Sequence, residues 1–342
     1  MVIFRGKSDH MKILKITGII FLVAIVALII AAITFYNTDF PASEAEHKYL
    51  TAESRMLQVM DARVHVRIRG TGQPIFLIHG SFASLHTWEK WEDELIKGFQ
   101  TISMDLPGHG LTGPNTSKVY SQEYYRDLIF ALADSLGIET FNVAGNSMGG
   151  NVAIRMAQSR PERISKIILV DAAGSVKQPS DILKNSSKKI PSKRPWVFSV
   201  LSHPVGGKLL TRFTPRFLFK MNLQQVYGDS SLITEELIDR YYELLIRDGN
   251  RVATIQRLTG EQPNSGIGKN ITCPTLIIWG KKDRWIPLSN GERIHNEIPG
   301  SNLVIFPNAG HVPQEEIPGE SVLPVLEFLR QPAEDVTLKQ TK

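Results

Sequence analysis

The stretch Asn142-Val143-Ala144-Gly145-Asn146-Ser147-Met148-Gly149-Gly150 leaves the chain few options. Val143 and Ala144 read as the end of a buried strand, and Asn151-Val152-Ala153-Ile154-Arg155-Met156-Ala157 reads as a helix. A strand can pass into a helix within so few residues only if the two elements nearly touch. Small residues two before and two after Ser147 permit that approach, and the strained turn then holds Ser147 at its apex with its side chain outward. Gly-x-Ser-x-Gly also fills ordinary glycine turns, so by itself it does not separate a catalytic serine from a structural one. The surrounding pattern has to decide.

Upstream, residues 56–60 and 64–69 read as a β-hairpin, with Val64, Val66 and Ile68 on one face and His65 and Arg67 on a solvated one. Pro74-Ile75-Phe76-Leu77-Ile78 is apolar at every position after the proline, as a strand covered on both faces should be. It ends in His79-Gly80-Ser81-Phe82-Ala83, ahead of a helix expected over 88–95. Thr101-Ile102-Ser103-Met104 leads into Asp105-Leu106-Pro107-Gly108-His109-Gly110, and 121–136 is an amphipathic helix along Tyr125, Leu128, Ile129, Leu132 and Leu136. Apolar runs before Asp171, Asp283 and His311 complete the series. Strands alternating with helices at this spacing imply an α/β fold: a mostly parallel, eight-stranded-type sheet with helices on both faces. Such sheets carry their sites at the carboxyl ends of strands, where Ser81, Ser147, Asp171, Asp283 and His311 all fall. His79 and Asp105 are expected to hold backbone in their loops, and His86 and His109 to be structural.

The rest of the chain divides around this core. Residues 16–36 contain no charged side chain; as a helix they would span about 30 Å, the thickness of a bilayer core. The run is longer than the apolar part of a cleaved signal, so an uncleaved transmembrane anchor is expected, with Phe35 and Tyr36 at its interfacial end. Arg5, Lys7, Lys12 and Lys15 precede it, and Asp39, Glu44 and Glu46 follow it. That bias leaves a cytoplasmic tail, 1–15, and puts everything after the single pass outside, in the periplasm if the membrane is a bacterial inner one. Residues 37–55 read as a tether, 56–174 and 265–330 as the two parts of the core, and 331–342 as a disordered tail. Residues 175–264 carry helical pieces at 196–201, 207–213, 215–226 and 234–247 without a strong strand, so they read as an inserted helical lid. The basic run Lys184, Lys188, Lys189, Lys193 and Arg194 that opens it reads as a solvated face, with anionic lipid as a second reading. A net charge of +5, spread along the chain, gives no nucleic-acid footprint. One cysteine, Cys273, excludes an internal disulfide framework and a cysteine-built metal site, and its place before Pro274 reads as a buried, inert thiol.

Acyl transfer by serine needs a nucleophile, a base, an acid that orients the base, and oxyanion donors. The chain offers them in the order Ser147, Asp283, His311, together with His79-Gly80-Ser81-Phe82, Asp105 to Gly110, Gly280-Lys281-Lys282-Asp283 and Ala309-Gly310-His311. In these ordered motifs, over about residues 56–330, the chain resembles the α/β-hydrolase fold family. The resemblance implies Ser147 as nucleophile, His311 as general base and then acid, and Asp283 as the group that orients it. Asp171, where some relatives place their acid, stays open as a rival. It implies the backbone N–H of Met148 as one oxyanion donor and that of Ser81, or else Phe82, as the second. It implies no cofactor and no metal.

A serine at the apex argues against the family's haloalkane dehalogenases and epoxide hydrolases, which use aspartate there. Asn146 to Gly150 and Gly280 to Arg284 are similar to carbon–carbon bond hydrolases that cleave ring-fission products. Gly80-Ser81-Phe82-Ala83 lacks their extra glycines, however, and Val312 stands where they tend to carry tryptophan. The expectation is therefore a membrane-anchored carboxylic-ester hydrolase acting on an apolar or lipid-like ester, with the carbon–carbon hydrolase as alternative. The remaining reading, a binding protein on a hydrolase scaffold, sits poorly with an intact set of catalytic residue types. Aromatic residues of the lid, Trp196 and Phe217 among them, and Phe82 are expected to wall the pocket, although such a stripe is also what a lid core needs. Oligomeric state is not legible.

Overall fold

A computed structural model describes residues 14–26, 30, 36, 38–174, 203, 206, 211–260 and 271–332. Eight strands form one sheet in the order β1-β2-β4-β3-β5-β6-β7-β8. They are β1 (Ser54–Val59), β2 (Ala62–Arg69), β3 (Gln73–Ile78), β4 (Phe99–Met104), β5 (Phe141–Asn146), β6 (Ile164–Val170), β7 (Thr275–Gly280) and β8 (Asn302–Phe306). β1 and β2 pair antiparallel, as do β2 and β4; every later pairing is parallel.

The continuous apolar runs are explained by two cores. On β3, Phe76 and Ile78 join a cluster under helices α3 (Gln122–Ser135) and α4 (Met148–Ser159). Ile75 and Leu77 join the opposite cluster with Trp88, Trp91 and Leu95 of the segment ending in α2 (Glu89–Leu95), and with the carboxyl-terminal helix over 323–330. β7 divides likewise, Ile277 and Trp279 on one side and Leu276 and Ile278 on the other. A strand in the middle of such a sandwich has no solvated face. α3 starts where Ser121 accepts a hydrogen bond from the Tyr124 N–H, and it buries Tyr125, Leu128, Ile129 and Leu132. That i, i+3, i+4, i+7 stripe is the expected one.

β2 departs from the expectation. His65 and Arg67 are buried like Val64 and Val66 beside them, because β2 is flanked by β1 and β4 and covered on both faces. Arg67 meets Glu92 of α2 at 2.5 Å, and His65 bridges Ser54 and Asp105 at 2.8 Å each. The polar alternation on this strand marks buried hydrogen-bonded groups, not a wet surface.

Within the lid, helices α5 (Arg216–Val226), α6 (Glu235–Ile246) and α7 (Asn250–Thr259) are described. Thr234 caps α6 through the Leu237 N–H. Residues 175–202, which hold the basic run, the expected helix at 196–201 and Trp196, lie outside the described residues, as do 207–210 and the tail from 333.

The tether carries more structure than its polar composition predicts. Residues 42–49 form α1 (Ala42–Tyr49), and the segment from Asp39 docks on the lid. Phe40 exchanges backbone hydrogen bonds with Ile246 and Asp248, the Ala42 N–H donates to Asp248, and Asp39 pairs with Arg251 at 2.5 Å. Lys48 and Tyr49 both reach Glu243. Every one of these lid partners lies about two hundred positions away, so no local pattern announces them. Ahead of this strap, residues 14–26 are helical, and Ile16, Ile19, Ile20, Phe21, Leu22 and Val23 are all exposed. Among the described residues no helix is long and apolar enough to cross a membrane; much of the apolar run beyond residue 26 lies outside them.

Candidate active site

The turn after β5 is strained where the sequence requires it. Ser147 sits at φ +53° and ψ −115°, a region almost reserved for glycine. Its neighbours enforce the strain. The Ser147 N–H donates to Val170 O at 3.0 Å, and the Ser147 carbonyl accepts from the N–H groups of Gly150, Asn151 and Ala173. A Cβ on Gly145 would lie 2.3 Å from the Gly149 oxygen, and one on Gly149 would lie 2.1 Å from the Ile78 oxygen. The two glycines are therefore needed for close packing of α4 on β5 and β3.

The loop after β3 meets this turn. A Cβ on Gly80 would stand 3.0 Å from the Ser147 Cβ, and the Ser81 hydroxyl donates to the Met148 sulfur at 3.6 Å. The Ala83 N–H closes a turn onto the Gly80 carbonyl, which leaves the N–H groups of Ser81 and Phe82 out of that turn bond. Phe82 adopts φ +64°. Met148 is the first residue of α4, so its N–H is one of the helix donors without an intrahelical acceptor, at the positive end of the helix dipole. His79 holds the loop: its Nδ1 donates to the Gly80 carbonyl at 2.7 Å and its Nε2 accepts from the Leu106 N–H at 3.0 Å. Burial pushes this imidazole below its usual range, which fits a neutral ring with one donor and one acceptor. Asp105 accepts from the N–H groups of Leu85 and Leu111, and the His65 imidazole beside it helps hold its carboxyl well below the usual range despite complete burial.

His311 and Asp283 come from the loops after β8 and β7. The His311 Nδ1 meets the Asp283 Oδ2 at 2.6 Å, both side chains buried. Asp283 Oδ1 accepts from the N–H groups of Trp285 and Ile286, which fixes the carboxylate. The backbone around His311 is held from two sides: its N–H donates to Val226 O of the lid, and its carbonyl accepts from the Asn146 side chain at 3.0 Å. Asn146 thus ties the residue before Ser147 to His311. The Trp285 ring lies 5.5 Å from the imidazole. The His311 Nε2 is buried and has no hydrogen-bond partner. A base whose working nitrogen tightens onto its hydroxyl only when substrate arrives has this geometry. Asp171, at the end of β6, is fully buried and accepts from the Gly280 N–H. It does not take the imidazole Nδ1, which goes to Asp283.

Over this constellation Phe82, Val312 and Trp285 pack with the lid residues Phe219, Leu223, Val226, Tyr227, Ile238, Tyr242 and Ile246. The guanidinium of Arg257 in α7, itself buried, lies 5.9 Å from the Phe82 ring. Phe217 of α5 is half exposed. A separate cavity of about 570 Å³ lies between α1, the segment around His86 and α6. It is lined by Tyr49, His86, Tyr227, Arg240 and Glu315, and not by Ser147, Asp283 or His311. Asn146 and Trp285 are the residues that sequence reasoning left without a role. Asn146 sits inside a quoted motif and Trp285 directly follows one, yet only the fold shows that each lies against His311.

The comparisons with known proteins agree with this architecture. A family model described as alpha/beta hydrolase fold matches residues 73–318. A 2-hydroxy-6-oxononadienedioate/2-hydroxy-6-oxononatrienedioate hydrolase of Pseudomonas putida is 29% identical, over 79% of this chain and 93% of that protein. The structure of an esterase from Thermogutta terrifontis superposes with TM-score 0.65 at 23% identity, covering 82% of this chain and 98% of the esterase. A bacterial membrane phospholipase A described as a virulence factor superposes with TM-score 0.63 at 21% identity, covering 94% of this chain and 98% of its own.

Proposed function

This chain belongs to the α/β hydrolase fold family, and from that premise we propose that it is a membrane-tethered serine hydrolase of apolar or lipid-like carboxylic esters. The observation that carries the serine chemistry is the strained Ser147 turn beside a buried Asp283–His311 pair at 2.6 Å. In this reading the Ser147 Oγ attacks the ester carbonyl while the His311 Nε2 takes its proton. Asp283 holds the imidazole in the tautomer that presents Nε2 as acceptor and stabilises the imidazolium that forms. The tetrahedral oxyanion is met by the N–H groups of Met148 and Ser81, each such donor contributing about 3–4 kcal/mol. His311 then returns the proton to the leaving alcohol. Water activated by the same imidazole releases the acid from the acyl-enzyme.

Two features favour a lipid-like ester. The lid cluster with Phe82, Val312 and Trp285 offers apolar walls, and the exposed apolar helix at 14–26 is joined through α1 to that lid. In this proposal the run 16–36 anchors the protein, the amino terminus stays cytoplasmic, and the hydrolase works on the outer side. The phospholipase structure, whose likeness extends over more of this chain than the esterase's, motivates phospholipids as the first substrates to try. A carbon–carbon bond hydrolase is the second reading, motivated by the Pseudomonas putida relative.

A fluorophosphonate probe should label the wild-type protein and not Ser147→Ala; absence of label on folded wild type would overturn the serine mechanism. Esters of graded acyl length should be hydrolysed and a dienone ring-fission product left intact. The reverse preference selects the second reading. Reporter fusions at the two termini should place only the amino terminus in the cytoplasm.

A further inference from the structure

Asp171 stands behind the Asp283–His311 pair with no role so far. Oxygens of the two carboxyl groups and a ring nitrogen of His311 all lie within 4.8 Å of one another. The two acids are unequally supplied with donors. Asp283 has the Trp285 and Ile286 N–H groups on one oxygen and the imidazole on the other. Asp171 has only the Gly280 N–H on Oδ1; its Oδ2 is buried and, as a carboxylate oxygen, faces no donor. Two neighbouring carboxylates in a buried site do not both ionise, and the proton goes to the one whose anion is worse solvated.

We propose that Asp171 is a neutral carboxylic acid whose Oδ2–H is directed at Asp283, making it a positioning residue for the acid of the triad. Its proton donates to Asp283, satisfies the otherwise orphaned oxygen, and leaves the pair a single negative charge for the imidazole. The titratable groups facing Asp171 are Asp283, His311 and, farther off, Glu316. Burial first, and then the charge of Asp283, hold the Asp171 carboxyl well above its usual range. The backbone agrees with this use of the position: Asp171 is held at φ +43°, a conformation that aspartate and asparagine tolerate better than other side chains.

The inference rests on the triad proposed above, but its main test reads stability and not turnover. A folded-state carboxyl raised above its unfolded value keeps a proton that the unfolded chain releases. Stability therefore falls as pH rises from the ordinary carboxyl range towards the raised value. Asp171→Asn cannot titrate, keeps an N–H donor towards Asp283, and suits the backbone. Urea midpoints of the full-length wild type and Asp171→Asn, measured from pH 5 to 8 in the same detergent, should diverge in favour of the variant. One proton held only by the folded state changes the ratio of the two folding constants about tenfold per pH unit. A ratio that stays flat across this range overturns the proposal. As a second readout, Asp171→Ala, which removes the donor to Asp283, should lower the rate of fluorophosphonate labelling at pH 7 by about tenfold. Rescue by Asp171→Asn, which keeps an N–H donor there, should bring that rate back to within about threefold of wild type, or 0.65 kcal/mol of barrier. Loss of labelling in folded Asp171→Asn would make Asp171 the working anion and overturn the neutral assignment. If Asp283→Asn labels normally while the stability ratio still changes with pH, the triad fails and the shared proton stands.

Discussion

The strain at Ser147 makes a prediction about stability that runs against ordinary helix and turn statistics. Ser147→Ala and Ser147→Gly both remove the hydroxyl, so their difference isolates the backbone. A non-glycine residue held at φ +53°, ψ −115° costs about 1–3 kcal/mol. Glycine at that site releases this strain but loses about 0.5–1 kcal/mol through the greater freedom of the unfolded chain. The balance should favour Ser147→Gly over Ser147→Ala by roughly 1 kcal/mol, and by about 2.5 at most. Ser159, the last residue of α4, supplies the reference. Its hydroxyl bonds the Met156 carbonyl, and both substitutions there lose that bond. With helical backbone, Ser159→Gly should be less stable than Ser159→Ala by a few tenths to about 1 kcal/mol. Urea unfolding of the four variants in detergent, compared at matched m-values, reads the sign reversal directly. If alanine is the more stable residue at both sites, the turn is not strained and the account of why Ser147 is presented at its apex fails.

Gly149→Ala should cost on the order of 4 kcal/mol or more, because its Cβ would lie 2.1 Å from a backbone oxygen of β3 that cannot move aside; loss of soluble, folded protein on expression is the readout. Asp283→Asn should slow ester turnover about 10⁴-fold with folding intact, since the amide favours the wrong imidazole tautomer; a residual rate within tenfold of wild type would remove Asp283 from the mechanism. Asp39→Asn breaks a largely buried ion pair with Arg251 and should loosen residues 39–49 from the lid by about 1–2 kcal/mol, seen as faster hydrogen exchange in that segment alone. Burial pushes the Cys273 thiol up to about 12, so at pH 8 it is neutral and should resist alkylation in the native protein while reacting in urea.

The sequence by itself determined the sheet and the strand ends at which the candidate residues stand. Residues 75–78 of β3 and 276–279 of β7 are covered on both faces, and that burial is written locally as an unbroken apolar run. Gly145 is local too, because close packing of α4 on its own preceding strand leaves no room for a Cβ there, whereas Gly149 is required by the backbone of β3. Tertiary structure decided whatever depends on partners remote in sequence. His65 alternates like a solvated strand residue, yet its partners Ser54 and Asp105 are brought to it only by strand pairing. Asp171 and Asp283 both end strands, and nothing local says which one reaches His311; the loop after β7 supplies the Trp285 and Ile286 N–H groups that fix Asp283 towards it. Residues 37–55, which include the docked segment 39–49, read as a tether because a polar segment shows its composition and not its docking site. Only the folded chain brings Glu243, Asp248 and Arg251 of the lid within reach of a strap that precedes them by about two hundred residues.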